Sequence, residues 1–456
     1  MKAYFCTALL GLFLATSACA APATPHEDAA TPDDDVVAFV NVTVIPMDSE
    51  RTLEGQTVVV RGERIVTVGP ADAVEVPDDA LTIDGNGKYL MPGLAEMHGH
   101  VPPPNRPAEE TENVLFLYVA NGITTVRGML GADGQLDLRE RANTRQVISP
   151  TLYLAGPSFN GNSVNSPEEA VEKVRRQKAE GWNLLKVHPG LTVEEYDAMA
   201  RTANELGIRF GGHVPADVGL MHAIEMGQET FDHVDGYVEY LSTVNQEAVD
   251  EEALAEAVRR TKEAGAWIVP TMALWETLYG TLDLDELRGY PELKYMPPGT
   301  VESWIGRVQR THNSPQFDLE ASREVIAARM RVLEALSDGG ARILMGTDAP
   351  QLFSVPGFSL HRELERMVDA GMSPYEIIES GTKNVGAYFA NEDTFGTVAE
   401  GQRADLILVN ANPLDDVKHI QQRSGVMVRG RWLSEAAIQE RLDEMAASYA
   451  PTEGSN

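Results

Sequence analysis

Two histidines with one glycine between them, His98 and His100 in MPGLAEMHGH, are the first residues in the chain whose types and spacing point to chemistry. Side chains at i and i+2 of a strand share a face, so the two imidazoles present themselves together, and Gly99 allows close backbone approach. Imidazole nitrogen suits divalent zinc, and a dry pocket can hold such a cation with one position open to water. Alone, the pair fits either two metal ligands or two polar residues closing a strand. Downstream, His213 stands in GGHVP, His233 in FDHVD and Asp348 in LMGTDAP. The cysteines are Cys6 and Cys19, both in the first twenty residues, so beyond that segment a metal site must use His, carboxylate or modified Lys.

Lys186 is the odd residue of the set. It lies in the apolar run NLLKVH, where an ammonium without a partner is expensive to bury. Either its head reaches a carboxylate at the strand end, or its neutral amine takes up carbon dioxide as a carbamate. The carbamate is a two-oxygen anion able to bridge two metals roughly 3.5–4 Å apart. Asp348 likewise has two readings: a turn residue capping the next helix, or a metal ligand that also acts as general base. Four residues form a secondary set for substrate contact. His188 shares a strand face with Lys186, Tyr237 follows His233 by four residues, Arg127 ends TTVR, and His361 opens a helix.

The elements around these residues make the pattern coherent. Short β-rich runs over residues 36–92, with hairpin turns expected at Arg61-Gly62 and Gly85-Asn86, return in style over 395–440. Together the two ends predict one small composite β-sandwich. Between them, over 93–394, eight strand-like segments (GLAEMHGH, GITTVRGM, TLYLAG, NLLKVH, RFGGHV, TFDHV, WIVPTMA and RILMGTDA) are mostly separated by helical patterns. Ser166, Pro167 and Glu169 predict a helix start with a capping box, and Thr192 with Glu195 predicts another, stopped at Gly207. The alternation predicts an α/β fold, a TIM-like (β/α)8 barrel whose chemistry sits at the C-terminal ends of its strands. His98, His100, Lys186, His213, His233 and Asp348 all fall at those ends. The long interval after the seventh strand, about 274–319, reads as a lid whose aromatics either line an apolar pocket or pack the lid down.

Composition limits the partners. Lys and Arg total 37 against 69 Asp and Glu, a formal net charge of −32 that disfavours nucleic acid and anionic membranes. Residues 1–20 read as an export signal with an apolar core too short for a transmembrane segment. They predict a periplasmic protein, with lipid anchoring through Cys19 as the alternative processing route. Residues 21–35, rich in Pro, Ala and Asp, read as a disordered linker.

The ordered set MPGLAEMHGH, GITTVRGM, LLKVH, GGHVP, FDHVDGY, LMGTDAP and GTVAEGQRADLILVNANPLDDV resembles the amidohydrolase superfamily, close to its imidazolonepropionase-like and Xaa-Pro dipeptidase-like branch. The resemblance implies that His98 and His100 bind one divalent metal, zinc in such relatives, and that His213 and His233 bind a second. It implies further that Lys186 bridges the two as its N6-carboxylated form, and that Asp348 binds the first metal and handles protons. Relatives often carry Asp where this chain has Gly128, which leaves the role of Arg127 open.

The reading that follows is a binuclear metal-dependent hydrolase of amide bonds in small peptides or N-acyl amino acids. A metal-bridging hydroxide attacks the carbonyl and Asp348 shuttles the proton. The alternatives are a mononuclear cyclic-amide hydrolase of the imidazolonepropionase kind and, from another class, a non-catalytic exported metal- or ligand-binding protein. The resemblance also implies a homo-oligomer.

Overall fold

The computed structural model describes residues 36–245 and 249–450. The predicted export signal and linker, with Cys6 and Cys19, lie outside the described residues.

Eight parallel strands form the barrel: Leu94–Gly99, Ile123–Gly128, Thr151–Leu154, Leu184–Val187, Arg209–Gly212, Thr230–Asp232, Trp267–Val269 and Arg342–Ile343. They lie where the sequence predicts them. The first three pair as one arc and the last five as another. The arcs are joined by Phe159 N donating to Lys186 O and His188 N donating to Phe159 O, each at 2.8 Å. The ring closes where Met97 N donates to Met345 O (2.8 Å) and His100 N to Ala349 O (2.7 Å). Helices cover the outside of such a barrel, so its strands are buried on both faces, and the first two are buried at every residue.

The covering helices follow their sequence signals. Pro167–Glu180 turns Ala170, Lys173, Val174 and Gln177 inward, the i, i+3, i+4, i+7 stripe of an amphipathic helix. Its predicted capping box is half formed. Ser166 Oγ accepts from Glu169 N, but the Glu169 carboxylate accepts from Asn165 N at 2.9 Å instead of from Ser166 N. Asn165 offers both its backbone N–H and its side-chain amide, and so wins that carboxylate. Helix Val193–Leu206 has the complete reciprocal box of Thr192 and Glu195 and ends at Gly207 with φ 61°.

Strands from both chain ends form the β-sandwich sheet. Tyr89–Pro92 is its hinge, antiparallel to Leu406–Val409 on one side and parallel to Val36–Val44 on the other. Arg61-Gly62 does open the hairpin between Leu53–Arg61 and Arg64–Pro70. Gly85-Asn86 does not form one. Leu81–Asp84 and Tyr89–Pro92 both run parallel to Val36–Val44, so the turn between them is a bend along one edge. Gly85 is needed there because a Cβ would stand 2.5 Å from Cβ of Val42.

The lid interval folds as helices Met272–Leu278, Leu284–Arg288 and Pro298–His312, with a single 3-10 turn at Pro291–Tyr295. Its aromatics divide between the two predicted jobs. Tyr295 stacks on Phe358, Trp304 meets Phe353, and Tyr290 lies under Arg362, which pack the lid down. Trp275 instead faces His233, with ring centroids 5.8 Å apart.

Candidate metal centre

The barrel gathers the six predicted residues into one cluster. His98 is the penultimate residue of the first strand and His100 follows its end; Lys186 sits inside the fourth strand, while His213, His233 and Asp348 follow the fifth, sixth and eighth. Asp348 Oδ1 lies 2.5 Å from His100 Nε2 and 3.7 Å from His98 Nε2, and its Oδ2 lies 3.7 Å from His233 Nε2. Lys186 Nζ is 3.0 Å from His98 Nε2. The rings of His98 and His233 have centroids 4.3 Å apart, and those of His213 and His233 4.5 Å. Gly99 lets the first strand come this close to its neighbour: a Cβ there would stand 2.9 Å from Val126 Cγ1.

These residues fit a metal. Ligand atoms of His98, His233 and Asp348, all buried, lie within 4.8 Å of one another. Nδ1 of His233 is hydrogen-bonded to Thr271 Oγ1 at 2.8 Å, while its buried Nε2 has no hydrogen-bond partner among the described residues. Burial, reinforced by nearby positive groups, holds His98 and His233 well below the ordinary imidazole range. They are therefore neutral, the form that donates a lone pair to a cation. The backbone at the site is also strained. His233 (φ 67°), Thr271 (φ 53°) and Asp348 (φ 62°) are all left-handed, at a cost of about 1–3 kcal/mol each that the surrounding contacts must sustain.

Behind the cluster stand three carboxylates and Arg329 that the sequence reading did not single out, together with Arg127, which it did. Asp232 Oδ2 lies 2.6 Å from His98 Nδ1, though off the hydrogen-bond axis, and both its oxygens accept from Arg127 at 3.0 and 3.1 Å. Burial pushes the Asp232 carboxyl up, but Arg127 and Lys186 outweigh it and hold the group below the usual carboxylate range. In a parallel arrangement, Asp235 Oδ2 meets His213 Nδ1 at 2.6 Å, and Arg329 reaches Asp235 at 3.4 Å. Arg329 also donates to the carbonyl of His233 and lies 4.0 Å over the Trp275 ring. Carboxylates that hold the far nitrogen of a ligand histidine fix its orientation and tautomer. Glu96 ties the first strand to the eighth: its carboxylate accepts from Thr347 Oγ1 at 2.5 Å, Thr347 N at 2.8 Å and His98 N at 3.0 Å. Burial pushes Glu96 up to about 8, against those three donors. One signal was available in the sequence, since Glu96 is two residues before His98 and so on its strand face.

The secondary set fares unevenly. His188 stacks on His213 at 4.9 Å, beside the cluster, and burial pushes it down to about 2. Arg127 is not a substrate contact. It is fully buried, spent on Asp232, the Met97 carbonyl, Thr230 and Tyr388. Tyr237 is also corrected, being a fully buried core residue whose hydroxyl bonds Thr261 Oγ1 at 2.6 Å. His361 bonds Asn121 at the entry to the second strand, not its exit, so it faces away from the cluster. Its helix contributes Glu363 instead, which accepts from the amides of Met272 and Ala273, each at 2.9 Å. Because Arg127 balances a buried Asp232, Arg127→Met strands that charge. The expected loss is about 3–5 kcal/mol of unfolding free energy, measured by urea denaturation.

Residues 89–433 match the pattern described as "Amidohydrolase family". Adenine deaminase 3 of Rhizobium meliloti (strain 1021) is 21% identical over 86% of this chain, which spans 56% of that longer protein, little more than half its length. Imidazolonepropionase of Arthrobacter sp. (strain FB24) is 24% identical, over 84% of this chain and 94% of the relative. Among solved structures, a Xaa-Pro dipeptidase with methionine bound in its active site superposes with a TM-score of 0.67 at 20% identity, over 88% of this chain and all of the other.

Proposed function

The chain belongs to the amidohydrolase family, and from that premise we propose that it is a binuclear metal-dependent hydrolase of amide bonds in small peptides or N-acyl amino acids. The observation that carries this reading is Lys186. It is fully buried, and among the described residues no carboxylate lies within 4.0 Å of its Nζ, whose near neighbour is His98 Nε2. Burial pulls the amine down to about 8, so a usable fraction is neutral near physiological pH. A neutral amine adds to carbon dioxide, forming an N–C bond and releasing one proton, and leaves a carbamate that needs cations beside it. In this reading His98, His100 and Asp348 would hold one zinc, His213 and His233 would hold another, and N6-carboxylated Lys186 would supply an anionic ligand between them.

The two cations would supply a hydroxide nucleophile near neutral pH and polarise the scissile carbonyl. The protein's own groups do the rest. Asp348, with both oxygens inside the histidine cluster, accepts the proton of the attacking water and passes it to the leaving nitrogen. Asp232 and Asp235 hold His98 and His213 in orientation. Trp275, in the first helix of the lid, sets its ring edge-to-face against that of His233. The export route of residues 1–20 would place this activity in the periplasm.

A second reading, one metal and a cyclic amide, is favoured by the compact trio His98, His233 and Asp348. Elemental analysis of the zinc-loaded protein, combined with a hydrolysis panel of dipeptides, N-acyl amino acids and cyclic amides, separates these. Two metals per chain with release of a free amino acid is the expected result. One metal with activity confined to cyclic amides would replace it with the second reading. Bound metal with no hydrolysis of any amide would leave a binding protein.

A further inference from the structure

A cavity of about 560 Å³ adjoins the cluster on the His100 side. Its size is that of a small-molecule pocket. His100 lines it, together with Leu130 from the loop after the second strand, Pro350 from the loop after Asp348, and Met296 from the lid. Leu130 is 45% exposed, an unusual share for a leucine in a recess and apolar surface free to be covered by a ligand. Arg106 and Glu110 also line it, Arg106 largely exposed and meeting Glu110 only at the loose distance of 3.7 Å. In a chain with 69 acidic residues against 37 basic ones, a weakly engaged guanidinium lining a pocket is conspicuous.

Orientation follows from the proton path, and in this the inference rests on the proposed amide hydrolysis. Asp348 gives its proton to the leaving nitrogen, so that nitrogen must stand beside Asp348. The cavity is bounded by His100, which contacts Asp348 at 2.5 Å, and by Pro350, two residues further along the chain. A leaving nitrogen beside Asp348 therefore has this cavity within reach of the group it carries.

We propose that this cavity is the leaving-group subsite and that it selects bulky apolar amino acids. Their side chain would fill the space between Leu130 and Met296, and their α-carboxylate would pair with Arg106, whose planar fork suits a carboxylate.

The test uses the full chain loaded with zinc and the substrates Gly-Ala, Gly-Leu and Gly-Phe, each as free acid and as C-terminal amide. Apolar fill of such a pocket predicts a kcat/KM for Gly-Phe at least about tenfold above that for Gly-Ala. Leu130→Trp, at an exposed position that should fold, is expected to lower the Phe-to-Ala ratio about fivefold or more by occupying the same space. Arg106→Gln is expected to lower the ratio of free acid to amide by a similar factor, about fivefold. Equal rates for Gly-Phe and Gly-Ala, or a ratio that Leu130→Trp does not move, would overturn the proposal. If no amide is hydrolysed, the proposed function fails separately, and calorimetric titration with L-phenylalanine and L-alanine still decides the pocket. Phenylalanine binding that Leu130→Trp weakens sustains it; no preference for phenylalanine overturns it.

Discussion

Asp348→Asn should lower the rate of amide hydrolysis by about 10³-fold, within the range for loss of a positioned acid–base group. The substitution keeps the shape of the side chain and the capacity for the left-handed backbone at φ 62°, since Asn tolerates that region as Asp does. It removes the group that accepts a proton and returns it to the leaving nitrogen. Amides depend on that return more than esters do, because an amine leaves poorly unless protonated. A matched ester should therefore lose markedly less rate than the amide, and the amide-to-ester ratio separates proton transfer from a general disturbance of the cluster. Amide hydrolysis retained within about tenfold of the parent would remove Asp348 from the proton path.

Lys186→Met should have opposite effects on activity and stability. The amine lies fully buried with no carboxylate within 4.0 Å among the described residues, so as an ammonium it destabilises the fold. Met fills nearly the same volume without a charge, and the midpoint of urea unfolding of the metal-free protein should hold or rise. If the carbamate bridges two cations, its loss should exceed the 10–100-fold effect typical of groups that merely support a ligand. A fall in kcat/KM of about 10²-fold or more, with bound zinc dropping from about two per chain toward one, is expected. Protein equilibrated with ¹³C-labelled bicarbonate should show a carbamate carbon resonance that is missing from Lys186→Met. A variant with undiminished activity and metal content would favour the single-metal reading.

The ligand candidates were legible because strand ends are marked in the sequence. A parallel barrel strand is a short apolar run, and a His, Lys or Asp at its C-terminal end stands out against Val, Ile and Leu. Eight such runs in order placed His98, His100, Lys186, His213, His233 and Asp348 on one face. The secondary set was harder, because a polar residue near a strand end points either into the site or into the packing around it. Arg127 and Tyr237 went to the packing, and His361 turned toward Asn121. Gly85-Asn86 was misread for a related reason. A turn dipeptide marks where the chain bends but not whether the next strand folds back on the last one or joins a third.

By itself the sequence determined the α/β alternation, the barrel, the sandwich drawn from both chain ends, and the six residues at the strand ends. These depend on local periodicity, turn chemistry and order along the chain. Only the tertiary structure decided which acids stand behind which histidines. Asp232 serves His98, 134 positions earlier in the chain and on another strand, and Arg329 reaches Asp235 and His233 from a helix beyond the lid. It also decided that His100, Leu130, Pro350 and Met296 enclose one cavity. Such pairings arise when the barrel closes and brings distant strand ends within bonding distance, and no local pattern records which ends will meet.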